Sequence, residues 1–271
     1  EPVEKLLRRG WRVARGALAQ SQTELALRQI AQLTSADPDL FSIRVESAFR
    51  QGDYAEALAE AQKWKAASPD SPWARITVAD VLYALGKRSE AAALWKEVAG
   101  SGSGAAQSWA AFRTALADQR WNDCLAALDG LSETSDRSAI AVLKGQVEFS
   151  RGSIDQARSF FDAAVREGPQ NASAYGWLGL WHAIQRQLTT AHENFGKALA
   201  LNPDDAIALW GEGFIAFLDR SYDAAAEKFD KSIRANPGFD LSRLFLAETL
   251  LAQGRYPEAL QRIDQMGPAF R

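Results

Sequence analysis

Apolar residues along the chain follow a helical rhythm, and the rhythm repeats. A small side chain recurs every 33 or 34 residues, at Ala57, Ala91, Cys124, Ala157, Ala191, Ala225 and Ala259. Four residues beyond it, one helical turn on and on the same face, stand Trp95, Leu128, Phe161, Phe195, Phe229 and Ile263. Three residues before it the side chain is again large in most repeats, as at Tyr54, Trp121, Ile154, Leu188, Tyr222 and Tyr256. Small beside large at one fixed place is what two helices need to cross at close range without overpacking. Cys124 therefore reads as another small packing residue.

The punctuation keeps the same period. Pro169, Pro203 and Pro237 lie 34 residues apart, two of them within the similar phrases Leu201-Asn202-Pro203-Asp204 and Ala235-Asn236-Pro237-Gly238. Gly52, Gly86, Gly152 and Gly254 come just ahead of the second helix of their repeats, where a tight turn often demands positive φ. Each repeat thus holds two amphipathic helices of about 14 residues, which cannot bury both faces alone and must stack on their neighbours. Truncating a slot residue such as Phe195 to alanine is expected to cost about 3–5 kcal/mol.

These features resemble the tetratricopeptide repeat family. In the stretch from Ala172 to Asp205, the residues Tyr175, Leu178, Gly179, His182, Ala191, Phe195, Ala198 and Pro203 occupy the consensus slots in order, with His182 where tyrosine is usual. The next unit matches at Gly213, Tyr222, Ala225, Phe229 and Pro237 but carries Glu212 in the leucine slot. Units begin near Pro38, Pro72, Ala105, Ser138, Ala172, Ala206 and Asp240, and Val3 to Leu33 looks like an eroded first pair. The resemblance implies an all-α, right-handed superhelical solenoid of antiparallel helix pairs. It would be a single solenoid over 1–271, with a divergent first pair in 1–37, repeats 2–3 in 38–104, repeats 4–5 in 105–171 and repeats 6–8 in 172–271. Gly100-Ser101-Gly102-Ser103-Gly104 interrupts the pattern with the composition of a flexible linker, either a natural loop or an artificial join.

Composition narrows the function. With 47% hydrophobic and 24% charged residues the chain has a folded composition. Its 31 basic and 34 acidic side chains give a formal charge of -3, which supplies no field for gathering phosphates, so nucleic acid is not the expected partner. One cysteine makes no internal disulfide. No apolar run approaches the roughly 20 residues that span a bilayer, so membrane insertion by this segment is not expected. Starting on Glu1, the sequence reads as an excerpt or processed product that a targeting or membrane segment could precede. Arg8, Arg9, Arg12 and Arg15 make the first helix basic, which reads as a solvated face or a site beside a membrane. Usage rich in Ala and Arg and poor in Lys points to a bacterial source, with cytoplasm and periplasm both open.

Catalytic chemistry finds no foothold. His182 and His192 are ten residues apart on different helices of one pair, without the spacing of a shared metal site. The acidic pair Asp204 and Asp205 suits helix capping. Asn171-Ala172-Ser173 matches a glycosylation sequon, yet Asn171 also suits a helix start. No enzyme activity, metal or cofactor is expected.

The family resemblance implies a groove lined by fixed positions of the first helix of each pair. In the middle of the chain these positions hold Ile76, Asp80, Tyr83, Trp109, Arg113, Gln146 and Phe149. Later they hold Leu180, Trp210, Phe214, Phe217, Leu244 and Glu248. Trp210, Phe214 and Phe217 share a helical face by spacing alone, and either the adjacent repeat or a bound peptide must cover it. The clamp that some relatives use for a terminal carboxylate is unsupported, because its positions hold residues such as Ser42, Ile76, Trp109, Val142 and Trp210. The expected function is a scaffold or adaptor for a protein or peptide partner. A self-associating structural module is the alternative, and an RNA-reading repeat is a weaker one.

Overall fold

The computed structural model of the 271-residue chain describes residues 38–101, 104–131, 136–236 and 239–264. The expected first pair, Val3 to Leu33 with its four arginines, lies outside the described residues, as do Pro237 and the Gly102-Ser103 centre of the glycine-serine stretch. Regular structure among the described residues is entirely α-helical. Contacts divide the chain into two compact units, 1–134 and 135–271.

The first unit holds α1 (Pro38–Arg50), α2 (Tyr54–Ala67), α3 (Pro72–Ala84), α4 (Arg88–Ser101), α5 (Ala105–Ala117) and α6 (Trp121–Asp129). The second holds α7 (Arg137–Ser150), α8 (Ile154–Glu167), α9 (Ala172–Ile184), α10 (Leu188–Leu201), α11 (Ala206–Leu218), α12 (Tyr222–Ala235), α13 (Asp240–Ala252) and α14 (Tyr256–Asp264). Each odd-numbered helix packs on the next even one, and each pair packs on the following pair within its unit.

The repeat slots become the core. All seven small residues, Ala57 to Ala259 and including Cys124, have no exposed surface, and Trp95, Leu128, Phe161, Phe195 and Phe229 beside them are 0–1% exposed. Burying a side chain of that size contributes about 1.5–3 kcal/mol. Their neighbours are small by necessity: a Cβ added to Gly179 or Gly211 would lie 2.5 or 2.2 Å from the Phe195 ring. The large residues Tyr54, Trp121, Ile154, Leu188, Tyr222 and Tyr256 open the second helices.

Several first helices start on a side-chain cap. Ser71 Oγ accepts from Ala74 N at 3.3 Å, and Asp136 Oδ1 accepts from Ser138 N at 2.9 Å. Asn171 Oδ1 accepts from Ala174 N at 3.3 Å, and Asp205 Oδ1 from Ala208 N at 2.9 Å. Such caps satisfy amides that the helix leaves unpaired. Asn171 Nδ2 also donates to Ser138 Oγ at 2.8 Å, so the sequon asparagine is engaged at both ends of its amide.

Between the helices of each pair, Gly52, Gly86, Gly152 and Gly254 have φ of 75–88°. In the other three pairs Gln119, Arg186 and Arg220 adopt φ of 55–60° in the same turn slot. The glycine-serine stretch is less open than its composition suggests. Helix α4 runs through Gly100 to Ser101, and Gln107 Nε2 of α5 donates to Ala99 O at 3.1 Å. The helical ladder is available to glycine and serine alike once Val98 is buried beneath them.

Candidate protein-binding faces of the first helices

In the first unit, α3 and α5 bring four expected residues together. Asp80 Oδ1 accepts from Arg113 Nε at 2.9 Å and from Trp95 Nε1 at 3.0 Å. The Arg113 guanidinium lies 4.9 Å from the Trp95 ring centre and 5.7 Å from that of Tyr83. It is thus held by charge on one side and by ring faces on the other. Burial pushes the Asp80 carboxyl above its ordinary pKa, against the opposing charge of Arg113 and hydrogen bonds from Arg113, Trp95 and Trp109. Trp109 is half-buried and packs on Phe112, and Ile76 beside it is 2% exposed. Ile76 is therefore core, because α4 and α5 close over it through Val98, Ala106 and Ala110.

Next to this cluster lies an open cleft of about 520 Å³. Helix α1 contributes Ser42, Val45, Glu46 and Phe49, and α2 contributes Trp64. Helix α3 contributes Trp73, Thr77, Asp80 and Val81. Only Asp80 among these was expected at a binding face from the sequence. A signal was present: Trp64 stands seven residues beyond its small slot, where later repeats have Val98, Leu131, Ala164, Ala198, Ser232 and Met266, none of them a ring. Trp73, on the other rim, is 42% exposed.

The second unit treats the same helix positions differently. Trp210 is 6% exposed: Phe214 stacks on it at 5.3 Å and 7°, and Phe245 meets it edge-on at 5.4 Å. Phe217 is half-buried against Phe245 and Tyr222. Leu180 is also 6% exposed, and Phe149 packs edge-on against Trp177 at 5.6 Å. Trp210 and Leu180 therefore present almost no surface, because Phe239, just ahead of α13, and Phe245, on α13, pack against the apolar cluster that holds them. Gln146 and Leu244 are half-buried and Glu248 is exposed, with no cluster formed around them among the described contacts.

Counting along the repeat, one inner position runs through Glu46, Asp80, Arg113, Gln146, Leu180, Phe214 and Glu248. It is charged throughout the first unit and mostly uncharged in the second. Glu212, the departure from the leucine slot, faces His192, whose Nδ1 lies 3.0 Å from Oε2 and 2.8 Å from Oε1. His182 is half-buried beside Gln187 Oε1 at 2.6 Å, so the two histidines have separate partners. Among the described residues no group of three or more His, Cys, Asp or Glu could hold a metal ion, and no helix is long and apolar enough to cross a membrane.

A search of the curated proteins returns no match. Among solved structures, the anaphase-promoting complex hetero-tetramer Cut9-Hcn1 aligns with a TM-score of 0.70 at 16% identity, over 91% of this chain and 50% of that one. The chain thus spans half the length of the chain it matches, and at this identity the likeness is one of fold. Two MamA structures align with TM-scores of 0.41 and 0.40 at 19% and 18% identity, over 57% and 59% of this chain and 91% and 88% of theirs. Two family models described as tetratricopeptide repeat match, one over residues 14–72, 110–172, 142–191 and 178–239, the other over 48–116 and 216–271. Together with the helix pairs, their shared slots and the 33–34-residue period, these matches place the chain in the tetratricopeptide repeat family, whose members are generally non-catalytic scaffolds for protein–protein interaction.

Proposed function

We propose that this scaffold grips a segment of a partner protein in the first unit, through the cleft between α1 and α3 and the Asp80–Arg113 cluster beside it. The observation that carries this reading is an open, aromatic-walled cleft between α1 and α3, with Phe49, Trp64 and Trp73 in its lining. Aromatic rings with a few fixed polar groups are the usual anchors of peptide recognition. In this reading the chain holds its partner and catalyses nothing, and the partner is protein rather than nucleic acid. The aromatics of the second unit serve as core.

The test is a pull-down with the wild-type chain, a Phe49→Ala, Trp73→Ala double variant and an outer-face Lys96→Ala control, with circular dichroism to verify folding. A partner retained by wild type and control but lost from the folded double variant is the expected result. Equal retention by all three removes the cleft from consideration.

A specific observation favours a second reading, self-association. Tyr256 and Leu260, one turn apart on α14, are 66% and 62% exposed, and contiguous apolar surface often marks a contact between copies. A mass that rises with concentration and reverts in a Leu260→Lys variant is the outcome that would support it.

A further inference from the structure

We infer that the second unit carries a docking edge for an acidic segment of a partner protein, held by Arg186 and Arg220 and by the aliphatic side chains beside them. This goes beyond the first-unit cleft and does not depend on it. In every helix pair of the second unit an arginine stands in the turn between the two helices: Arg151, Arg186, Arg220 and Arg255. The outer two are engaged within their own turns. Arg151 Nε lies 2.6 Å from Glu148 Oε2, and Arg255 Nε donates to Glu258 Oε1 at 2.7 Å. The inner two are exposed, and among the described residues their side chains make no hydrogen bond or ion pair.

Two residues before each free arginine stands an uncovered aliphatic side chain. Ile184 closes α9 and Leu218 closes α11, and they are 49% and 48% exposed. Helix α9 packs directly on α11, and packed helices lie about 8–10 Å apart, so the two turns are neighbours on one edge. That edge sets two guanidiniums beside two aliphatic surfaces. A guanidinium suits a carboxylate because its planar fork donates two parallel hydrogen bonds and is weakly hydrated.

The backbone sharpens the case. Arg186 and Arg220 hold φ of 60° and 59° in the slot where the outer turns of the unit use Gly152 and Gly254. Glycine adopts that conformation without strain, and the two arginine side chains contribute no polar contact to the fold in return. Gln119 of the first unit shares the conformation but has Ala117 two residues earlier, so the conformation by itself does not mark a docking edge. The combination of free guanidinium and uncovered aliphatic side chain, repeated in adjacent turns, does.

The same edge carries Asp219 beside Arg220 and Asp223 in the first turn of α12, where Gln253 Nε2 donates to Asp223 Oδ1 at 2.7 Å. An extended phosphate surface, lipid or nucleic acid, would meet these carboxylates as well as the arginines. A protein segment can place its own carboxylates at the guanidiniums alone and an aliphatic side chain against Ile184 or Leu218.

The experiment selects a displayed library of random short peptides on the intact wild-type chain. Binding of the enriched peptides is then measured on an Arg186→Gly, Arg220→Gly double variant, on an Ile184→Ser, Leu218→Ser double variant and on Trp73→Ala as a cleft control. Glycine relieves the turn conformation, so binding lost in the first variant is not folding lost, and circular dichroism verifies this. The expected result is a set of peptides pairing Asp or Glu with Leu, Ile or Val. Their binding should weaken about tenfold in the glycine variant, several-fold in the serine variant and with added salt, and not at all in Trp73→Ala. Enrichment only of peptides that the glycine variant still binds, including any that Trp73→Ala loses, overturns the docking edge and leaves the cleft untouched, as does no enrichment. Vesicles of phosphatidylserine in phosphatidylcholine are tested in parallel. Sedimentation of the wild type but not the glycine variant with them, without acidic peptides in the selection, overturns the protein occupant in favour of a lipid surface.

Discussion

Trp109 and Trp210 occupy the same position of their repeats, yet they lead different lives. Trp109, in the first unit, is half-buried beside Phe112 and the Asp80–Arg113 cluster. Trp210, in the second, is closed in by Phe214, Phe239 and Phe245. The wider faces differ in the same way. Around these positions the first unit sets the Asp80–Arg113 pair against rings and leaves a cleft, whereas the second packs Trp210, Phe214 and Phe245 on one another. An inner-face aromatic is therefore left partly open or closed into the core according to what the next helix supplies, and the register alone does not say which.

The largest test of that contrast is stability. Trp210→Ala should cost about 3–5 kcal/mol, as a large core truncation does, whereas Trp73→Ala should stay within about 0.5 kcal/mol. Denaturant unfolding followed by circular dichroism measures both, and similar losses for the two would erase the distinction between core and surface rings.

Glycine gives a second contrast, inside the second unit. Gly211→Ala forces a Cβ to 2.2 Å from Phe195 Cζ and should cost about 1–3 kcal/mol. Gly196→Ala on α10 meets nothing within 4 Å and should stabilise by about 0.5–1 kcal/mol. Thermal unfolding of the pair reads out opposite signs.

Arg113→Ala probes the charged face of the first unit, at an expected cost near neutral pH of about 1–2 kcal/mol from the lost charged hydrogen bond. The sign of the pH effect follows from the raised Asp80 pKa. The folded state holds the proton more tightly than the unfolded one, so stability falls as pH rises from the ordinary aspartate range through the folded value. Removing Arg113 removes a charge that lowers that pKa, so the falling window should extend to higher pH. Unfolding measured across pH should show this, and the added Asp80→Asn change should abolish the Asp80 part of it.

The smallest effect concerns the turns. Arg186→Gly and Arg220→Gly should each stabilise the second unit by about 1 kcal/mol, because an L-residue in the left-handed region carries about that strain. Gly152→Ala should cost about as much in a turn of the same unit. Differential scanning calorimetry would resolve the shifts in melting temperature.

Much of this molecule is readable in its residues. The seven small slots, their large partners, the punctuating glycines and prolines and the Asn171 and Asp205 starts mark repeat boundaries that agree with the helices to within a residue. Less legible were the turns at Gln119, Arg186 and Arg220, where non-glycine residues take the left-handed slot because the packed helices on either side fix it. The cleft was nearly invisible: of its lining, Asp80 alone stood out in the sequence. Trp64 in a slot that holds no ring in the later repeats was the available clue, and it needed the positions of α1 and α3 to acquire meaning.

By itself, then, the sequence determined the repeat, because burial of a small and a large residue at a fixed period leaves helix pairs few other ways to pack. Tertiary structure alone decided which aromatic faces were covered. Exposure of a ring depends on side chains arriving from other helices, as Phe239 and Phe245 arrive over Trp210, and one-dimensional periodicity carries no record of that distance.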